Sequence, residues 1–432
     1  MEPLLELEAE PVAARKGQFT WRTPAAWLLG KNLSRGFWVF FWAAFFFDFG
    51  FAVYFFLFNL YLVDFHFNER AIGLVGGALT LGSVAGTLPA GWVARRFGLR
   101  PLLTVCFIAA PLVGVARTLA MAELAQIGLA FVAGLAMCIW GVCFLPAIAG
   151  LTTEENRASA FSLIFSVSIG TSALGGVVCG NLPQWLKMAG FALGVGEVKR
   201  MILLGSCGIA SMGLIPLTRL RLPLQESGPE AGHEKRRWRV NPFLLRFLPS
   251  MALWTAVLAA FAPFANVYLA KDLHLSMARI GLIFSVSQVL QLCVGQVTPW
   301  LFRRLGLVRG IVATQVATGA AMGLLAIVSD PRLAVALYLS FTASQWMSSP
   351  GLYNLLMSRV PDAERSQAAA ITLFSNALLQ SFATAGAGVL FAAFGYPRVL
   401  AGIAALALAA AMLFGVVVAP AARGLTAEEE AP

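Results

Sequence analysis

The chain has 432 residues, of which 59% are hydrophobic and only 12% charged, with a net charge of +10; a soluble domain carries roughly 45–50% apolar and ~25% charged residues. So few charges could not cover a core containing this much Phe, Leu, Ala and Val, which excludes a disordered chain, a nucleic-acid module and a secreted disulfide scaffold. What remains is a polytopic membrane protein, in which an excess of bases has an ordinary explanation in the loop charges that set orientation.

Residues 1–35 form a polar tail of mixed charge without a secretory signal. The first apolar run, from about Phe37, is too long for the core of a signal peptide. A spanning helix needs about 20 mostly apolar residues. Six are expected near 37–63, 70–94, 101–120, 123–149, 158–182 and 200–218. The segment 219–245, rich in Pro, Gly and clustered charge, is expected to be a hydrated cytoplasmic linker. Six more spans follow near 246–270, 278–302, 307–328, 331–355, 366–394 and 397–420, and 421–432 form a polar tail. The predicted organisation is an all-α membrane protein of twelve helices in two six-helix bundles, 36–218 and 246–420. If both termini lie inside, 22 of the 31 Lys and Arg residues fall on the inner side, which predicts cytoplasmic N and C termini. The plasma membrane, specifically a bacterial inner membrane, is the expected location.

A shift of 208 positions superimposes several charged and loop residues. Asp64 meets Asp272, His66 meets His274, Arg95 and Arg96 meet Arg303 and Arg304, Gly98 meets Gly306, Glu154 meets Asp362, and Arg157 meets Arg365. With one residue inserted, Asn59 and Tyr61 meet Asn266 and Tyr268. Apolar helices align by chance, but charged loop residues at one constant offset do not, so a duplicated six-helix unit is expected.

Within the spans Asp48 stands apart. It lies thirteen residues past Arg35, roughly 20 Å into the membrane at ~1.5 Å per residue. A carboxylate at that depth costs at least ~2.5–3.5 kcal/mol and marks an ion or substrate path. Asp48 is therefore a candidate proton-coupling or cation-binding site, the competing reading being a buried structural carboxylate. The repeat places Thr255 at the equivalent position, so the charge occurs once. Other deep polar and aromatic groups are Gln288, Gln291, Gln345, Trp346, Asn376, Gln380, Trp140 and Trp254. Each glutamine could equally serve an interhelical hydrogen bond worth ~0.6 kcal/mol. Together they predict a largely aromatic cavity for an amphipathic or weakly charged solute.

The six cysteines lie in apolar segments as small hydrophobes, and Cys138 and Cys143 have no His nearby, so neither a metal site nor a cofactor is expected. His66, His233 and His274 all fall in loops, and no phosphate-binding Gly-x-x-x-x-Gly-Lys-Ser/Thr occurs, which leaves no enzyme chemistry and no ATP-driven step.

The run containing Gly91, Arg95, Arg96, Gly98 and Arg100, between helices 2 and 3, resembles the loop signature Gly-x-x-x-Asp-Arg-x-Gly-x-Arg/Lys of the major facilitator superfamily, with Arg95 where the family has Asp. Arg303, Arg304 and Gly306 form a degenerate second copy, and the acidic-then-Arg loops Glu154/Arg157 and Asp362/Arg365 also look like this family. The resemblance spans about 37–420. It implies secondary transport of a small molecule by alternating access, with these loops latching an inner gate, although the same arginines could simply anchor topology. It also implies that helices 1, 4, 7 and 10 line the cavity, which favours Asp48, Trp140, Trp254, Gln345 and Trp346 as substrate-facing. Proton-coupled efflux is the leading expectation, then proton-coupled or facilitated uptake of a sugar or organic acid, then a transporter-like scaffold or sensor. The segment Gly170 to Gly176 resembles the glycine-rich signature of the family's antiporters but lacks its Pro. Protons and the lipid bilayer are the further expected partners, without nucleic acid, and the protein is expected to be a monomer.

Overall fold

A computed structural model describes residues 33–188, 190, 194–220, 242–361, 365–418 and 420. The tails expected at 1–35 and 421–432 and the core of the expected linker, 221–241, lie outside or almost outside the described residues. Helices α1 (Arg35–Asp64), α2 (Glu69–Phe97), α3 (Leu99–Leu119), α4 (Glu123–Leu151), α5 (Glu154–Met188) and α6 (Val195–Met212, extended by Leu214–Thr218) form one bundle. Helices α7 (Pro242–Phe261), α8 (Met277–Leu305), α9 (Leu307–Leu325), α10 (Pro331–Arg359) and α11 (Arg365–Leu413) form the other. After α7 a 3-10 turn, Ala262–Phe264, and a short helix, Ala265–Lys271, complete the seventh crossing. No strand occurs among the described residues.

Ten helical stretches are long and apolar enough to cross a bilayer. Length and apolarity alone therefore do not give the expected twelve. The last stretch, Ala368–Val418, has 51 residues, too many for one crossing at ~1.5 Å per residue. It turns at Gly395, whose φ of +74° is open to glycine without steric cost. α10 has the length, 29 residues, but is more polar than the others.

The helix ends follow from local chemistry. Ser34 accepts a hydrogen bond from the Phe37 amide at 3.1 Å, and Asn68 one from the Ala71 amide at 2.9 Å, which satisfies amides that have no partner inside the helix. Gly98 and Gly306 end α2 and α8 at φ of +84° and +80°, so the duplicated loop is also duplicated in backbone conformation. His66 and His274, also related by the repeat, share positive φ values of 63° and 50°. In the 3-10 turn after α7, Pro263 has no N–H for the carbonyl of Ala259 four residues back. The Thr384 hydroxyl donates to that carbonyl at 3.1 Å instead, the usual repair where water is excluded.

Define the near end as the side at which α1 begins and the far end as the opposite side. The bundles meet along two repeat-related seams, α2 against α11 and α5 against α8. A Cβ on Gly73 would lie 2.8 Å from Gly388 Cα and 2.9 Å from Thr384 O; one on Gly281 would lie 3.0 Å from Gly180 Cα and closer still to Gly176 O. Each residue of the first contact is 208 positions from its counterpart in the second. Small residues permit this approach of backbones, the ordinary way in which helices associate inside a bilayer.

Candidate functional site: the cleft between the bundles

The polar contacts joining the bundles gather at the far end. Asn59 donates to Pro263 O at 2.7 Å and Asn266 to Phe56 O at 3.0 Å, a reciprocal pair in which each Asn reaches the residue three before its own counterpart. The Ser381 hydroxyl donates to Gly77 O at 2.7 Å, and the Ser285 hydroxyl donates to Ala173 O. Lys271 and Glu69 form an ion pair at 2.8 Å. Toward the near end the same helix faces part. Gly91 lies five turns from Gly73 and directly below it at ~3.6 residues per turn, yet a Cβ there would meet nothing within 4 Å. Gly295, fourteen residues after Gly281, is equally open. The protein is sealed at the far end and splayed at the near end.

Asp48 hangs beneath that seal. It precedes Asn59 by eleven residues, which puts it ~16 Å nearer the near end and within about 20° of the same helix face. The hydroxyl of Ser168 on α5 donates to its Oδ2 at 3.0 Å, and Trp140 of α4 supplies a second side-chain hydrogen bond. Phe41, Phe45, Ile164 and Val167 wall the carboxylate. Three helices of one bundle thus converge on it. Trp140 is braced by Phe47 at 5.0 Å, Phe144 at 4.9 Å and Phe107 at 5.6 Å between ring centroids. A lone carboxylate with two neutral donors and aromatic walls can carry a proton or hold a cation against ring faces.

The other cavity candidates divide. Trp346 is exposed, Gln291 and Asn376 are half-buried, and so is Gln345, whose Oε1 is buried without a hydrogen-bond partner among the described residues. Trp254 corrects the expectation that it faces the cavity: it is 1% exposed, at the repeat position of Phe47, and is core of the second bundle. Helix 7 is apolar all round, so sequence periodicity could not distinguish its two faces.

The near-end arginines of α2 and α8 lie back along their own helices. Arg96 lies over the ring of Trp92 at 5.4 Å, and Arg304 over Trp300 at 4.6 Å. Both tryptophans sit one turn back on the same helix and 208 residues apart, a repeat element that sequence reading overlooked although the signal was present. Arg100 donates to Thr218 O at 2.7 Å, bridging to a helix-end carbonyl inside its own bundle. Arg95 and Arg303 are exposed, and Arg303 borders a recess of about 420 Å³ with Thr298, Phe302 and Asn354. Gly91 is the open position described above; Gly98 and Gly306 are the left-handed helix ends. In the acidic-then-Arg loops Arg157 is half-buried and Arg365 donates to Val360 O at 3.2 Å. The Glu154 side chain and Asp362 lie outside the described residues.

Two charges were missed altogether. Arg117 near the far end of α3 is 2% exposed, its guanidinium 4.2 Å from the centroid of Phe58. Lys199 is also buried and pairs with Asp64 at 2.7 Å. In the sequence both are merely bases close to span ends.

The Major Facilitator Superfamily pattern matches residues 40–384. The chain belongs to the major facilitator superfamily. Solved structures share its fold. The nucleoside transporter NupG superposes with a TM-score of 0.74 at 15% identity, covering 89% of this chain and 99% of that one. The xylose transporter XylE from E. coli, inward open, gives 0.68 at 15%, covering 88% and 95%. A bacterial homologue of the iron transporter ferroportin, inward-facing, gives 0.64 at 17%, covering 90% and 99%. No curated protein matches at a significant level. Superfamily membership makes the chain a multi-pass membrane transporter of some solute.

Proposed function

We propose that this superfamily member exports a small amphipathic, weakly cationic solute in exchange for protons, by alternating access, with Asp48 as the shared proton and cation site. The bias of Lys and Arg toward the near end supports a cytoplasmic near end and cytoplasmic termini. The described state is then open to the cytoplasm, ready to load. In the opposite state the far-end seam parts while the near-end loops close, and Arg96, Arg100, Arg304 and their neighbours are the bases available to bridge that closure. The protein works as a monomer in a bacterial inner membrane.

One observation carries the reading: the single mid-span carboxylate shares a helix face with the sealed seam and is held by Ser168 and Trp140. Solute and proton would compete for it, which couples release of one to uptake of the other. Phe45 and Trp140 would receive the apolar body of the solute, as would Trp346 from the facing bundle. Counterflow and pH-gradient-driven flux of a radiolabelled lipophilic amine in proteoliposomes test this. Asp48→Asn is expected to abolish gradient-driven accumulation, and Asp48→Glu to retain part of it. Undiminished gradient-driven flux in Asp48→Asn would refute the assignment, and accumulation in the reverse sense would favour uptake.

A further inference from the structure

The face of α11 turned away from the seam carries a feature that transport through the cleft does not use. An apolar crevice of about 510 Å³ runs between α7 and the two arms of α11, floored by Ala256, Ala260, Gly386, Ala387 and Gly402. Around the helix, Gly386, Leu390 and Phe394 point about 140–220° away from Ser381, which faces the first bundle. The crevice therefore opens outward, to the bilayer. Leu390 and Phe394 on its rim are 47% and 54% exposed.

The first bundle has the equivalent crevice, about 280 Å³, lined by Phe49, Val53, Val178, Cys179 and Leu182. The repeat pairs Phe49 with Ala256, Val53 with Ala260, Val178 with Gly386 and Cys179 with Ala387. At all four positions the second bundle carries the smaller side chain, and its crevice is nearly twice the volume. Of the two crevices, only this one has a cation in its lining among the described residues. Arg398, at the far end of the second arm, lines it and is exposed, and no carboxylate pairs with it among the described residues. Glycine stands at the corresponding position of the first bundle, Gly190.

From this asymmetry we infer that the crevice is a binding site for an anionic phospholipid of the far leaflet, with one acyl chain between α7 and α11 and the phosphate against Arg398. Residues 383–394 rise ~16 Å along the helix, so the slot runs from the mid-plane to the interface where a headgroup lies. A guanidinium there offers a phosphate two parallel hydrogen bonds, whereas a zwitterionic lipid brings a competing cation. The first bundle, narrower and without that arginine, takes no such lipid.

Native mass spectrometry of the purified full chain, titrated with dioleoylphosphatidylglycerol or dioleoylphosphatidylcholine, tests the site. The wild type is expected to take up the anionic lipid with roughly fivefold preference. Arg398→Gln is expected to reduce that ratio to near unity and Arg398→Lys to keep most of it. Gly386→Leu, at a position where a Cβ meets nothing within 4 Å, should fill the slot and lower adducts of both lipids. Should that variant fail to fold, Gly402→Leu, equally open, replaces it. Equal uptake of the two lipids by the wild type, an unchanged ratio in Arg398→Gln, or undiminished adducts in the filled variant would overturn the inference. So would a dominant dimer that takes up neither lipid, since a second copy would then cover the crevice.

Discussion

Replacing Gly73 by Ala should prise open the far-end seal. A Cβ at that position lies 2.8 Å from the Gly388 Cα and 2.9 Å from the Thr384 carbonyl oxygen, both backbone atoms that cannot rotate aside, while ordinary contact begins near 3.4 Å. The seam must therefore yield by about half an ångström. Overpacking of this kind costs roughly 1–3 kcal/mol, and the cost falls only on the state in which α2 and α11 touch. The balance between far-closed and far-open forms should move by about 5- to 150-fold toward far-open. Spin labels on Met121 and Ile327, exposed residues in far-end turns of the two bundles, report it in a background lacking the exposed Cys293. The distance distribution should acquire a longer component in Gly73→Ala. Gly91→Ala, on the same helix face but in open space, should leave it unchanged. Identical distributions in Gly73→Ala and the wild type would refute both the seam and the assignment of the sealed end, as would equal shifts in the two variants.

The reciprocal asparagines give a second measurement on the same seam: Asn59→Ala and Asn266→Ala should each destabilise the far-closed state by about 1 kcal/mol, and by summed amounts in the double variant, in the same spin-label assay. Asp272, at the far-end turn, has its carboxyl pushed above the ordinary carboxylate range by burial, an effect opposed by nearby His274. A raised value means that the folded protein holds its proton to higher pH than the unfolded chain, so the charge opposes folding once pH exceeds that value. Asp272→Asn should accordingly raise the melting temperature at neutral pH. Its advantage should shrink as pH falls through the raised value and be absent below the ordinary aspartate value of 3.8. An advantage that grows with acidity would show the carboxylate to be stabilising.

Much of the architecture was readable because charge is scarce. The offset of 208 was drawn from Asp64, His66, Arg96 and Gly98, and the structure gives His66 and His274, and Gly98 and Gly306, matched backbone conformations. Asp48 was conspicuous for the same reason and Trp140 stood out beside it as a deep aromatic, but Ser168 did not, since a serine on one apolar helix carries no mark of which carboxylate it faces. The segment from Gly170 to Gly176 was read against an exporter signature. Small residues at such spacing also suit helix packing, and Gly176 packs against the backbone of α8. Trp254 failed for a related reason: inside a bilayer both the core and the cavity faces of a helix are apolar, so neither leaves a period to read. Arg96 and Arg304 rest over Trp92 and Trp300, one turn back on their own helices, a placement that the loop signature does not mark.

The far-end seam is chemically unequal across its two sides. Its two serine hydroxyls, Ser285 and Ser381, both belong to the second bundle, and the carbonyls that receive them, Gly77 and Ala173, both belong to the first. The same division holds for Lys271 and Glu69. Two copies of the first half set face to face would bring Gly77 against Ala173 with no hydroxyl between them, and two copies of the second would crowd serine against serine. After duplication the halves have thus become plug and socket. Co-expressed as separate polypeptides, they should find one another in preference to themselves.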